Sequence, residues 1–320
     1  MGAVVKLAMT LLVRDEADIV EAQLAFHLAA GVDVVIATDH RSSDGTTEIL
    51  ERYERDGSVH LVREDAERIR QSDWVTRMAR LAATEHSADW VLNSDADEFW
   101  WPRAGTLKDV LGAVPPPYGV VRAVSRIFVP RPGRTPWAER MTARLALAAP
   151  INDPATPYRH VAKVAHRAHP QIVVRQGNHS VAGVELRELR PWAGLELLHF
   201  PLRSQEQVER KHRNTLAAWE RNLRGDLARS RAGSAEAFHT RVVVDDDALA
   251  RGLSSGALVE DTRLRDALRE PRVDPRATAC DDVSRAVDVA VLDEADAVRL
   301  HRRLDELAVR VGRYGVARRW

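Results

Sequence analysis

Along the first hundred residues, short apolar runs alternate with longer segments in which apolar positions recur every three to four residues. That rhythm predicts strands alternating with helices, and hence a largely parallel sheet covered by helices. Residues 7–13 read as a buried strand, and 17–30 as a helix with Ile19, Val20, Leu24 and Leu28 on one stripe, stopped by Gly31. A second strand follows at 32–38. The turn-rich loop DHRSSDG (39–45) leads into a helix that Asp44 is placed to cap and that runs to residue 56. Then come a strand at 59–62, a helix at 73–87 and a strand at 90–94, which delivers Asp95 at its carboxyl end. In open parallel sheets, ligands bind outside those ends.

Beyond Pro102 the pattern loosens, with a Pro-rich joint at 114–118 and a strand at 119–127. The Pro/Arg-rich loop 130–158 is long enough to suggest a functional lid, and Arg131, Arg134, Arg140 and Arg144 suit one over an anionic ligand. Strand-like runs return at 161–166, 172–175 and 195–200. Ser204 and Gln207 carry a capping-box signature, opening a helix through Val208, Lys211, Leu216 and Trp219. Residues 225–320 are rich in Arg, Ala and Asp and predict two or three further helices without internal repeats.

Composition narrows the picture. Lys+Arg and Asp+Glu each total 47, so no net field draws the molecule toward nucleic acid or an anionic membrane, and an anionic ligand has to be held by local groups. The single cysteine, Cys280, excludes an internal disulfide framework and a cysteine-rich zinc site, and it fits a reducing compartment, the cytoplasm being the simplest. The apolar start lacks a signal-peptide cleavage site and continues as a core strand, and no run is long enough to span a membrane.

The strongest chemical signal is WVLNSDADEFW (90–100), an apolar strand ending in Asp95, Asp97 and Glu98. Carboxylates packed this closely repel one another unless a cation neutralises them. A hard divalent ion prefers oxygen ligands and is commonly held by one or two carboxylates plus substrate phosphates, so an Asp-x-Asp at a strand end provides half of such a site. The plain structural reading is an acidic loop that is solvated or caps the next helix.

At these residues the chain resembles the family 2 glycosyltransferases and related GT-A enzymes, especially the bacterial branch with a D-x-D-E-F motif; the likeness covers about residues 6–101 well and 161–215 loosely. The resemblance implies a GT-A fold, a Rossmann-like mixed sheet flanked by helices, over 1–203, with a nucleotide-binding half (1–101) and an acceptor half (102–203). A mainly helical C-terminal region would follow at 204–320. It also implies a nucleoside-diphosphate sugar donor, a saccharide or other hydroxyl acceptor, Mn2+ or Mg2+ as cofactor, and inversion at the anomeric carbon.

Residue by residue, the resemblance places Asp39 on the nucleotide base and Arg14, Glu16, Arg77 and Asp95 around the nucleotide. Arg80 shares the face of Arg77, and the local alternative for Glu16 and Asp44 is helix capping. Asp95, Asp97 and a late histidine would hold the metal, with His199 in LELLHFPLRS preferred because Arg203 and Lys211 follow it toward the diphosphate. His179 in GNHS is the next candidate and otherwise an acceptor contact; Trp101 would stack on the acceptor, with core burial as its alternative. Asp97, Glu98 and Glu185 are the candidate catalytic carboxylates, with Glu188 also open as the base. Two other classes fit parts of the pattern. A haloacid-dehalogenase-like phosphotransferase would use the D-x-D as nucleophile and acid/base, with VVVDDDALA (242–250) as a later acidic motif, but its D-x-D follows the first strand rather than the fourth. A non-catalytic saccharide-binding module rests only on the eight tryptophans.

Overall fold

In β1 (Leu7–Val13) apolar side chains supply both faces, which is what a strand covered on both sides requires. It lies in parallel between β2 (Val34–Asp39) and β4 (Trp90–Asp95), and β2 pairs in parallel with β3 (Val59–Arg63). The computed structural model describes residues 5–103, 105–147, 161–189, 194–222 and 244–269. Alternation along β1 divides the core. Leu7, Met9 and Leu11 pack with Val20, Leu24 and Leu50 from α1 (Val20–Ala29) and α2 (Thr46–Arg55). Ala8 packs with Val75, Met78, Ala79 and Ala82 of α3 (Gln71–Thr84) on the opposite face.

The other half of the sheet is mixed. β4 pairs with β8 (Ala162–Arg167), β8 with β6 (Tyr118–Ile127), β6 in parallel with β12 (Leu195–His199), and β12 antiparallel with β5 (Glu98–Pro102). The order is β3-β2-β1-β4-β8-β6-β12-β5, with β11 (Arg187–Leu189) also on β6. This is the α/β class expected, a mixed sheet flanked by helices, with the short α4 (Leu107–Gly112) following β5.

The connection between β4 and β5 shapes the site. Four strand spacings in a flat sheet would separate them by about 19 Å, whereas three residues reach about 10 Å. Asp95 ends β4 and Glu98 begins β5, so the sheet must curl until the two come together. The sequence pattern predicts no strand at 98–102, yet Phe99, Trp100 and Trp101 of β5 are buried, as a strand closing a curled sheet demands.

In the 130–158 segment, expected as a lid, three of the four arginines are held by protein groups. Its described part contains the short helix α5 (Trp137–Arg140) and β7 (Ala143–Leu145), and residues 148–158 lie outside the described residues. Arg131 donates to the Val244 carbonyl, Arg140 to the carbonyls of Arg131, Gly133 and Arg203, and the buried Arg144 pairs with Asp261 at 2.7 Å. These guanidiniums tie the segment down rather than pointing at a ligand. After residue 203, α6 (Gln205–Asn222) reaches Asp15 and Asp97 through Arg210, Lys211 and Asn214; α7 (Asp246–Ser255), β13 (Leu258–Glu260) and α8 (Arg263–Arg269) follow. β13 pairs with β7, and Arg263 with the fully buried Glu196 of β12 at 2.5 Å, so contacts run across the expected seam at 203/204. The further helices expected beyond 269 lie outside the described residues.

Candidate active site

The acidic turn stands where β4 and β5 meet. Register explains its company: His199 is opposite Glu98, and Phe200 N–H donates to the Asp97 carbonyl at 2.9 Å, which sets the end of β12 against Asp97. His199 Nε2 is 3.5 Å from Asp97 Oδ1, and Lys211 Nζ on α6 donates to Asp97 Oδ2 at 2.7 Å. Arg203 Nη1 stands 3.9 Å from the same carboxylate. Pro201 breaks the strand and Ser204 Oγ accepts from Gln207 N–H at 3.1 Å, starting α6 so that Arg203 and Lys211 both reach the turn. Gln207 Oε1 accepts from Arg203 N–H, one residue earlier than a reciprocal capping box would have it.

Asp95 turns to different partners. Lys163 Nζ of β8 donates to its Oδ2 at 2.5 Å and Asn178 Nδ2 to its Oδ1 at 3.2 Å. Asn178 sits at the tip between β9 (Val173–Val174) and β10 (Val181–Ala182), where Gly177 adopts φ 75°. A Cβ at Gly177 would fall 2.5 Å from His179 Nε2, so glycine there leaves room for the imidazole as well as the turn. His179 is exposed and hydrogen-bonds through Nδ1 to the Ala162 carbonyl at 2.8 Å, which assigns the proton to Nδ1 and leaves Nε2 as the lone-pair atom.

The loops after β1 and β2 form the third wall. Asp15 (φ 55°) and Arg41 (φ 57°) adopt left-handed backbone, a conformation more tolerable for Asp than for Arg. Asp15 Oδ1 accepts from Ser43 N–H at 2.8 Å and Oδ2 from Asn214 Nδ2 of α6 at 2.9 Å. The N-cap of α2 is Gly45 (φ 100°), not Asp44, which instead accepts from Thr46 N–H and, across the gap, from Ala17 N–H at 3.1 Å each. Asp39 ends β2 buried, accepting from Thr47 Oγ1 at 2.5 Å and Ser42 N–H at 3.2 Å. Glu16 pairs with Arg203, which also holds Asp18 at 2.8 Å.

Burial and charge are finely opposed here. Burial alone would raise the Asp97 carboxyl, but Lys211, His199 and Arg203 hold it well below the usual carboxylate range. Burial pushes Glu98 up to about 7 despite Lys163, whose ammonium lies 3.3 Å from Oε1 without hydrogen-bond geometry. Burial would lower Lys163 and Lys211, but their carboxylate neighbours raise both, keeping them charged. Glu16 is raised by burial, against the pull of Arg203 and Lys211.

A divalent cation fits the Asp97–His199 pair. Their facing O and N atoms are 3.5 Å apart, close to the roughly 3–3.4 Å that two ligands on one ion with bonds near 2.1 Å adopt. His199 Nδ1 is buried with no hydrogen-bond partner among the described residues. Asp95 does not close with these two into a three-ligand group, so a cation on the pair would leave coordination for phosphate oxygens.

The other sequence candidates fall as follows. Arg14 lies at the end of β1, 3.8 Å from Asp15, and Arg77 pairs with Glu64 at 3.2 Å. Arg77 lines an open groove of about 600 Å3 with Arg68, Arg70, Asp73 and Trp74, and Trp74 in turn packs on His40 beside Asp39. Arg80 is directed elsewhere, donating to the Ile172 carbonyl. Trp101 is a correction: it is 6% exposed, stacked on Phe26 with Arg263 on its ring, and so belongs to the core rather than an acceptor surface. Glu98 is 1% exposed and accepts from Asp95 N–H at 3.0 Å, which suits a positioning residue, not a base meeting an acceptor. Glu185 is exposed in the segment between β10 and β11, and Glu188 lies opposite Val120 paired with Arg122. The acidic run 245–247 caps α7, with Asp245 accepting from Ala248 N–H at 2.8 Å, and is no partner for Asp95. Sequence reasoning missed Lys163 and Asn178; a lysine inside the otherwise apolar run 161–166 was the available signal.

No protein-family model and no curated protein sequence matches the chain. Among solved structures, S. aureus TarS 1–349 in complex with UDP-GlcNAc aligns at 14% identity over 96% of this chain and 92% of that one, with a TM-score of 0.37. The mannosyltransferase PcManGT from Pyrobaculum calidifontis, in complex with GDP-Man and Mn2+, aligns at 16% identity over 96% and 86%, with a TM-score of 0.36. Glucosyl-3-phosphoglycerate synthase from Mycobacterium tuberculosis, with Mn2+, UDP and phosphoglyceric acid, aligns at 19% identity over 42% and 46%, with a TM-score of 0.26. Likeness at this level assigns no residue role to this chain.

Proposed function

We propose that the chain is a metal-dependent glycosyltransferase of the GT-A, family 2-like kind, moving a sugar with inversion from a nucleoside-diphosphate donor to an acceptor hydroxyl, in the cytoplasm. The observation that carries this reading is the convergence on Asp97 of His199 at 3.5 Å, Lys211 at 2.7 Å and Arg203 at 3.9 Å, at the carboxyl ends of the sheet strands. Such a group offers a cation site and fixed positive charge side by side, which is what a departing diphosphate needs.

In this reading Asp97 and His199 hold Mn2+ or Mg2+, which supplies charge to the leaving diphosphate; imidazole favours Mn2+. Lys211 and Arg203 bind the phosphate oxygens. Asp39, fixed by Ser42 and Thr47, accepts from the base N–H, with Arg14 and Arg77 on the same side. Asp95, held by Lys163 and Asn178, faces the donor's ribose, and Glu98 fixes the Asp95 backbone. His179 takes the role that Glu98 and Glu185 were expected to fill. Its tautomer is set by the Ala162 carbonyl, and desolvation of the covered side of the ring, foremost, lowers its pKa, so Nε2 is free at neutral pH to take the acceptor's proton. The acceptor oxygen then bonds to the anomeric carbon as the bond to the diphosphate oxygen breaks, and the electron pair leaves with the nucleoside diphosphate.

A thermal-shift screen of nucleoside diphosphates with and without Mn2+ tests the class. A ligand present at 100 times its Kd stabilises the folded chain by about 2.7 kcal/mol. One base is expected to raise the midpoint only when metal is present; no response to any nucleoside diphosphate would remove the reading.

A further inference from the structure

Away from the acidic turn, at the far end of α3, the sequence puts a histidine in the edge strand β3 and a Glu-His pair just past the helix. In the parallel register His60 is opposite Ile36, so its side chain projects on the face that α3 covers. α3 ends at Thr84, and Glu85 and His86 follow it over the edge strand. There the imidazoles meet, His60 Nδ1 standing 2.9 Å from His86 Nε2, with the rings edge to face. One ligand atom from each of His60, Glu85 and His86 lies within 4.8 Å of the others, and among the described residues no other three His, Cys, Asp or Glu side chains meet that condition.

We propose that His60, Glu85 and His86 form a second metal site, selective for a borderline-soft transition ion such as Zn2+, which pins edge strand β3 to the end of α3. Two imidazoles and a carboxylate are a ligand set that zinc accepts in tetrahedral geometry with water as the fourth ligand, and that Mg2+ does not favour. On a tetrahedral ion with Zn–N bonds of about 2.0–2.1 Å, the two nitrogens stand roughly 3.3 Å apart. The observed 2.9 Å requires the rings to part by only a few tenths of an ångström. Both histidines are half-buried and Glu85 is exposed, so an ion reaches the site from solvent. The Lys6 ammonium faces His86 and opposes a cation, whereas Glu85 favours one. The site is independent of the glycosyltransferase reading, since none of its residues touches the acidic turn.

The test is a Zn2+ titration of the full chain by calorimetry, in wild type, His60→Ala, His86→Ala, Glu85→Gln and Asp97→Asn, with far-UV circular dichroism on each. The expected result is a saturable Zn2+ equivalent, separate from any ion on Asp97 and His199, that persists in Asp97→Asn, weakens roughly tenfold or more in either histidine variant, and weakens less in Glu85→Gln. Glu85 is exposed, so that variant keeps the test open if a histidine variant fails to fold. Wild-type affinity in Glu85→Gln and the histidine variants, loss of binding in Asp97→Asn, or no saturable binding below about 1 mM Zn2+ would each overturn the proposal.

Discussion

Replacing Asp97 by Asn keeps the side chain's shape and removes its charge, so the variant separates the electrostatic role of this residue from its packing. Asp97 is 4% exposed, and its backbone carbonyl, which anchors Phe200 N–H, is unchanged by the substitution. The side chain loses one charge-assisted hydrogen bond, from Lys211 at 2.7 Å, and the weaker attraction of Arg203 at 3.9 Å. Hydrogen bonds to charged groups contribute about 1.5–3 kcal/mol. Lys211 keeps 35% of its side chain in solvent, and Arg203 keeps Glu16 and Asp18, so both cations retain compensation. The expected loss is therefore near the lower limit, about 1–2 kcal/mol. The functional loss is larger, because one of two protein ligands is gone: metal-dependent affinity for a nucleoside diphosphate should fall about 100-fold, or about 2.7 kcal/mol. Urea denaturation gives the first number and calorimetric titration with Mn2+ the second. A stability loss of about 5 kcal/mol, in the range for breaking a buried ion pair, with metal-free and metal-bound affinities falling equally, would refute the reasoning and make Asp97 structural.

Four further outcomes follow from the same contacts. Trp101→Ala should cost about 3–5 kcal/mol of stability, read by urea denaturation, while the folded fraction keeps its acceptor KM, because the ring is core. His179→Ala should lower kcat by about 100-fold or more and leave nucleoside-diphosphate affinity within about twofold, measured by steady-state kinetics and calorimetry. Buried neutral His27 and His166, each lowered to about 4 chiefly by burial, bind no proton in the fold where the unfolded chain does; stability attributable to them should fall as pH drops from 6.5 toward 4, and His27→Gln should flatten that slope. Glu98 acts in the opposite sense, since a folded pKa of about 7 removes stability as pH rises from 4.5 to 7, and Glu98→Gln should abolish that part of the profile in pH-dependent denaturation.

What could be read from the sequence was whatever repeats locally. The buried alternation of β1, β2 and β4 and the helical stripe of α3 lie in contiguous windows, so these elements and the strand-end position of Asp95 were legible. β5 was not, because its apolar residues follow an acidic turn and its partner, β12, lies almost a hundred residues away. The same long-range pairing brings His199 beside Asp97, a proximity the sequence suggested only through the residues flanking each. Trp101 illustrates the opposite failure: a tryptophan next to a polar motif looks like a binding surface until the curl of the sheet puts Phe26 and Arg263 on it. Lys163 was hidden because an ammonium in an apolar strand makes sense only once Asp95 and Glu98 are known to face it.

The central claim is that Asp97 and His199 bind a metal that in turn binds a nucleoside diphosphate. Isothermal titration of the nucleoside diphosphate that gives the largest thermal shift, with Mn2+ and with EDTA, tests it most directly in wild type and His199→Ala. The account predicts that EDTA weakens wild-type binding by tenfold or more, about 1.4 kcal/mol, while His199→Ala binds with nearly the same weak affinity in both buffers. Equal wild-type affinity with Mn2+ and with EDTA would contradict it.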